Sequence, residues 1–373
     1  MDPSTQFCPN FYCLKRGLPG KGNLRVHSRK EQRYRCTTCG KTFVASANTP
    51  FYRLHKPTDL MVVVLTLLCY GCPRQAIVAA YGLDERTVAD WQQRAGQHSQ
   101  RFHELHVQQG QVDVQHVQAD ELWVKMVGRK LWMAMAMAVP SRLWLGGVLS
   151  RHRDGKLLAG VVGLVRRCAR SPAILVCVDG LAGYVAAFAK GFRHAEPRAG
   201  RPGRRRLVVA PGLLIGQVIK RYSGRRVGEV LRRVARGSAA AIAAVLARTG
   251  TGAGINTAYL ERLNATFRSR WTPLVRRGRA LAHHEEGMQA GMYLVGCAYN
   301  FCWEHDRLRV AAPAGTGRKW VGRTPAMAAA LTNRRWELRE VMQQRLPPAR
   351  WKAPRRKPRR RRRTKAVPLP LAA

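Results

Sequence analysis

The chain has 373 residues, 46% of them hydrophobic, which is enough for two or three domains and at least one sizeable core. Lys and Arg number 66 against 21 Asp and Glu, a formal charge of +45. A charge this large repels itself unless a polyanion is near, so nucleic acid is the leading partner and an anionic membrane surface the rival.

The N-terminal MDPSTQFCPN has no apolar core, so no secretion signal is read there. The apolar run from Leu60 to Tyr70 is too short to span a bilayer, and Pro140, Ser141 and Arg142 split the one from Leu131 to Ser150. A cytoplasmic protein is expected. In a reducing compartment its ten cysteines read as metal ligands and core residues rather than disulfides.

The first segment, residues 1–45, carries Cys8-Pro-Asn-Phe-Tyr-Cys13 and, after 22 intervening residues, Cys36-Thr-Thr-Cys39-Gly-Lys-Thr-Phe43. Two cysteine pairs at this separation suit a four-sulfur zinc site, with Gly40 permitting the turn and Phe43 packing beneath the metal. The intervening residues are polar and basic, so zinc would supply most of the stability. Cys69 and Cys72 repeat the spacing without a second pair and read as core.

Residues 50–100 read as helical. Leu60–Cys69 forms one helix, Arg74–Ala80 a second, and Asp84–Ala95 a third after the turn at Tyr81-Gly82-Leu83. This is helix-turn-helix spacing, which leaves Arg86, Gln92, Gln93 and Arg94 free to face DNA. A polar linker from Gln97 to Gln111 follows.

Residues 112–310 read as an α/β domain. Strands are expected over Val114–Ala119, ending at Asp120, and over Leu131–Val139 and Leu143–Leu149. Met133, Met135 and Met137 alternate with alanine, as one sheet face requires. Lys156–Cys168 reads as a helix. Ala173–Val178 is a buried strand ending at Asp179, with a helix through Phe188. An Arg/Gly/Pro-rich loop from Arg193 to Arg206, a short apolar run at Leu207–Ala210 and basic helical segments come next. Asn256 to Arg270 is a helix with Leu260, Leu263 and Phe267 on one face and Glu261, Asn264 and Arg268 on another. Ala282–Trp303 and Thr324–Gln344 read as further helices. The extension 311–373 ends in a basic tail, Lys352–Lys365, read equally as a disordered segment or a phosphate binder.

Glu261 is the one acidic residue between Glu229 and Glu285, among ten arginines. A salt bridge is the ordinary reading of such a residue. Asp120 and Asp179 each end an apolar strand, and neighbouring parallel strands bring such ends to one edge, where ligands gather. A helix packed there would add Glu261. Three converging carboxylates repel one another unless a cation lies between them, and oxygen-only ligands point to two Mg²⁺ or Mn²⁺ ions. Of the other acids, Asp154 lies in a turn and Glu196 before a proline, and Glu285 and Glu286 diverge on a helix. Glu121 falls on the opposite strand face from Asp120.

The cysteine pairs with YRCTTCGKTF, the strand QADELW, the segment VDGLAGY and the helix TAYLERLNATFRSR together resemble the DDE-type transposases of bacterial insertion sequences, from about Cys8 to Trp303. The helix is the most specific of the four, close to a Y-x-E-R-x-N pattern. The resemblance implies an RNase H-like catalytic domain behind a zinc ribbon and a helix-turn-helix. It implies Asp120, Asp179 and Glu261 as the metal-binding triad, with Asn264 and Arg268 supporting it; the other arginines of the helix, Arg262 and Arg270, then read as its DNA-facing surround. The expected activity is hydrolysis at element ends followed by strand transfer into target DNA, by a homo-oligomer. A regulator that binds ends without cutting, and a structure-specific nuclease using the same triad, are the alternatives.

Overall fold

The computed structural model describes residues 1–196, 205–224, 226–275, 281–313 and 315–348. The basic tail and the middle of the Arg/Gly/Pro-rich loop lie outside them. The chain divides into two compact units: Met1–Ala45 together with Pro347 and Pro348, and Ser46–Leu346. No helix among the described residues is long and apolar enough to cross a membrane.

The first unit is a three-stranded antiparallel sheet, β1 (Leu24–Ser28), β2 (Arg33–Cys36) and β3 (Thr42–Val44). Its apolar content is small. Tyr34 and Phe43 stack across β2 and β3 with ring centroids 5.7 Å apart. Gly40 sits at φ 69°, the left-handed turn expected after the second cysteine pair.

In the second unit α1 (Thr58–Cys69), α2 (Arg74–Tyr81) and α3 (Glu85–His106) match the expected helices, with Gly82 at φ 58° between α2 and α3. However, α3 does not give way to a linker. Phe102 and His103, well beyond Ala95, are fully buried, and this apolar stripe carries the helix on for another three turns. The helical segment and the sheet therefore share one compact unit.

The sheet follows: β4 (His116–Met126), β5 (Arg129–Ala138), β6 (Leu143–Ser150), α4 (Gly155–Cys168), β7 (Leu175–Asp179), α5 (Ala182–Gly191), then β8 (Arg193–Ala195) and β9 (Leu207–Val209), which pair as a separate ribbon. Where basic helices were expected, the chain forms a long antiparallel hairpin, β10 (Leu214–Ser223) and β11 (Arg226–Arg236). Pairing with β7 explains the correction: Leu214 to Val218 lie residue for residue against Leu175 to Asp179, and Ile215, Gly216, Gln217 and Val218 are all buried, as in a strand covered on both faces. Six strands form one mixed sheet in the order β11-β10-β7-β4-β5-β6. β10 and β4 both run parallel to β7, whereas β5 and β6 complete an antiparallel meander.

The sheet then receives α6 (Ala239–Thr249), α7 (Ala258–Arg270) and α8 (Glu285–Cys297), which continues as a wider turn through Cys302. A small ribbon, β12 (Val310–Ala311) with β13 (Trp320–Val321), precedes two short helices, α9 (Pro325–Ala328) and α10 (Leu338–Gln343). These two replace the single expected helix over Thr324–Gln344. Ala330 at φ 56° breaks it, and a capping box of Glu337 and Glu340 starts the second.

The two sheet faces read directly off β5. Met133, Met135 and Met137 pack with Leu260, Leu263 and Phe267 of α7, while the alternating alanines belong to the core shared with α3, α4 and α5. Small side chains also set the crossing of α3 and α8: a Cβ on Gly96 would lie 2.3 Å from the carbonyl of Ala290. Asn300 closes the edge of β6, accepting from the Trp144 amide at 2.9 Å and donating to its carbonyl at 2.8 Å.

Candidate active site

β4 and β7 run side by side in parallel, with Gln118 opposite Cys177 and Ala119 opposite Val178. One step further, Asp120 and Asp179 emerge as neighbours on the same face. β7 ends there, but β4 does not. It stays paired with β5 to Met126, so Asp120 lies mid-strand, at the point where the parallel pairing stops.

Each aspartate keeps one oxygen for local structure. Asp120 Oδ1 accepts from the Glu121 amide at 2.9 Å, and Asp179 Oδ1 accepts from the Leu181 amide at 3.1 Å. The other oxygens face the cluster. Asp120 Oδ2 accepts from Asn264 Nδ2 of α7 at 2.9 Å. Asn264 is buried, and its own Oδ1 has no partner. Burial, and then the charges of Glu121 and Asp179, push the Asp120 carboxyl up to about 7.

Glu121 is the functional candidate that alternation set aside. Its side chain does leave β4 on the opposite face, where Tyr184 of α5 donates to Oε2 at 2.6 Å and Arg153 pairs with Oε1. Even so, carboxylate oxygens of Asp120, Glu121 and Asp179 lie within 4.8 Å of one another, close enough to share a metal ion. Arg153 Nη2 also approaches Asp179 Oδ2 at 3.6 Å, and its guanidinium lies over the Trp132 ring. The signal in the sequence was the adjacency Asp120-Glu121 at the end of a parallel pairing. Arg153 carried none, being one residue of a turn whose Asp154 caps α4.

α7 starts where expected, and Leu260, Leu263 and Phe267 are buried. Gln118 fixes its position: its Oε1 accepts from the Leu260 amide at 2.9 Å. The Glu261 carboxylate lies on the same sheet face as Asp120 and contributes to the rise in its pKa. It is not among the three clustered carboxylates. Instead Lys220 of β10 donates to it at 2.6 Å and Thr257 at 3.0 Å. Arg268 is half-buried further along the helix. Arg262 is exposed, and Arg270 lies over the rings of Tyr70 and Trp303, at 4.4 and 5.1 Å.

Of the residues expected to face DNA on α3, Arg86 is exposed. Gln92 accepts from Arg74 at 3.2 Å, and Arg94 bonds the Tyr52 carbonyl and pairs with Asp90 at 3.6 Å. Gln92 and Gln93 line a cavity of about 630 Å³ together with Trp271 and the start of α8. Gln92, Gln93 and Arg94 are all partly exposed.

In the first unit Cys8, Cys13, Cys36 and Cys39 come together as a set able to hold a metal ion. Cys8 Sγ lies 3.7 Å from Cys39 Sγ, and Cys13 Sγ 3.7 Å from Cys36 Sγ. The wide first gap is taken up by a turn in which the Cys13 amide bonds the Asn10 carbonyl. Burial raises the Cys8 and Cys13 thiols, whereas at Cys36 the Cys39 amide and the Asn23 side chain overcome burial and lower the thiol to about 6, favouring there the thiolate a metal needs.

Compared with known proteins, the chain matches no family model and no curated sequence.

Proposed function

We propose that the chain is a DNA transposase of the DDE type, which hydrolyses phosphodiester bonds at element ends and joins the freed 3′-hydroxyl to target DNA. One observation carries this reading. Asp120 and Asp179 meet on neighbouring parallel strands beneath α7, which bonds Asp120 through Asn264 and carries Glu261 on the same face. The strand order supports an RNase H-like catalytic domain, since β7 and β10 continue in parallel on the far side of β4 from its meander with β5 and β6.

Asp120, Asp179 and Glu261 would hold two Mg²⁺ or Mn²⁺ ions, with Glu121 adjoining. The donors fit, being all oxygen, with Asp120 buried and then crowded by Glu121 and Asp179 enough to keep its proton up to about 7 without a cation. Such ions, when bound, activate the attacking hydroxyl and stabilise the leaving oxygen. Asn264 orients Asp120, and the basic surfaces grip phosphates. The four cysteines suit zinc: a Zn–S bond of about 2.3 Å gives a tetrahedral edge of about 3.8 Å, close to the observed sulfur separations. The zinc module and the α2–α3 pair would recognise the terminal repeats, within a homo-oligomer that holds two ends.

A second reading, a protein that binds ends without cutting, draws on Arg153 and Lys220. Their charges already face Asp179 and Glu261, two of the three carboxylates that metal would occupy. A strand-transfer assay with Mg²⁺ separates the readings. Joining that is lost in Asp179→Asn supports the transposase; cleavage without joining indicates a nuclease; tight binding without cleavage rules out both enzymes.

A further inference from the structure

The flank of α7 turned away from Lys220 carries a second concentration of charge. A cavity of about 460 Å³ opens there, walled by Arg142, Tyr259, Arg262, Tyr299, His305 and Arg307 among others. A second of about 490 Å³ shares Arg262, His305 and Arg307 with it and extends to Arg270 and Trp303. Together they form a trough along the helix.

No carboxylate forms an ion pair with Arg142, Arg262, Arg270 or Arg307 among the described residues, although acids pair with other arginines throughout the chain. Two acids do line the second cavity. Glu304 is taken by Arg335 at 3.2 Å, and Asp306 opens a short turn. The arginines are fixed from behind. Arg142 donates to the Val139 carbonyl at 2.7 Å and lies 3.9 Å above the Tyr259 ring, while Arg270 lies on Tyr70 and Trp303. His305 Nδ1 accepts from the Arg307 amide at 3.3 Å, which leaves Nε2 as a donor. Like charges held together without counter-ions describe a site for an anion. Tyr259 already carries a guanidinium on its face, so the pocket offers little to a nucleobase and much to a phosphate. A trough that continues past one phosphate suits a polymer rather than a free ion.

We infer that this trough, centred on Arg142, Arg262 and Arg307, holds the phosphate backbone of one DNA strand alongside α7. This rests on the reading of the chain as a DNA-binding enzyme and adds a second contact to it. The strand lies across α7 from Glu261. A helix with its side chains is about 10–12 Å wide and a strand advances about 3.4 Å per phosphate, so the contact falls about three nucleotides from the cleaved bond.

The test is the salt dependence of duplex binding by the full chain, measured in the Asp179→Asn background so that cutting does not interfere. Arg262→Gln and Arg307→Gln should each reduce the slope of log K against log salt by about 0.9, and the double variant by about twice that. Arg166→Gln, on α4 at the opposite face of the sheet, should leave the slope unchanged. Matching thermal midpoints exclude unfolding as the cause. Unchanged slopes in both single variants would overturn the inference, as would an equal loss in Arg166→Gln. Saturable binding of inorganic phosphate that is lost in Arg307→Gln, with the DNA slope unaltered, would also overturn it and assign a free-anion site. Altered slopes in a chain that never cuts would remove the transposase reading and leave the trough in place.

Discussion

Lys220 Nζ, on β10, lies 2.6 Å from Glu261 Oε1, on α7, joining the sheet to the helix that covers it. Partial burial works against ionisation, yet Lys220 and then Thr257 hold the Glu261 carboxyl below its ordinary range. The pair therefore stabilises the fold above the ordinary glutamate value of 4.5, and the contribution is lost as pH falls through the lower folded value. Both partners are part-exposed, so it is worth under about 1 kcal/mol. Lys220→Gln should cost no more than that in urea denaturation. It should also tighten Mn²⁺ binding, measured calorimetrically, because a competing cation is gone.

Glu261→Gln and Asp179→Asn should each abolish cleavage while end binding persists. Loss of several kcal/mol of charge stabilisation corresponds to a rate decrease of about 10³-fold or more. Single-turnover cleavage beside a gel-shift titration is the check. A Glu261→Gln protein that still cuts removes Glu261 from the triad.

The proton on Asp120 makes a further prediction. Without metal, the folded protein keeps it up to about pH 7, whereas the unfolded chain releases it near the ordinary 3.8. Stability from this group therefore falls as pH rises between those values. Asp120→Asn should flatten that part of the melting-temperature profile and leave the variant more stable than wild type at pH 8 in the absence of metal. Mn²⁺ affinity of the wild type should climb to about pH 7 and then level off.

Zinc removal should unfold the first unit and spare the second. Structural zinc contributes about 10–16 kcal/mol in small modules, and little else here is buried. A zinc chelator, or Cys36→Ser, should erase the amide dispersion of residues 1–45 in NMR spectra. Elemental analysis should then fall from about one zinc per chain to none.

Gly96→Ala tests the crossing of α3 and α8. The added methyl would meet the Ala290 backbone, so the helices must part, at a cost of about 1–3 kcal/mol. Chemical denaturation measures it.

Much of this arrangement was legible in the sequence. The apolar run ending at Asp179 placed it at the end of β7, Asp120 was picked out beside it although β4 runs on to Met126, and the spacing of Leu260, Leu263 and Phe267 set the buried face of α7. Local pattern failed where long-range pairing decided the outcome. The β10–β11 hairpin read as helix because β11 is exposed along most of its length, so no buried face disciplines its residues. α3 read as ending early because what buries its second half comes from α8 and α10, far along the chain. Lys220 and Arg153 had no signature at all, since a cation opposite a carboxylate is a property of the fold and not of either segment.

Asp120 and Glu121 are consecutive, yet each reports to a different layer. Asp120 is held by Asn264 from the helix layer on one side of the sheet, and Glu121 by Tyr184 from the layer on the other. The strand between them acts as a fulcrum. A tilt of α7 reaches the cluster through one carboxylate and a shift of α5 reaches it through the next. The spacing of the oxygens is thus a readout of both layers at once, and neither can move without altering it.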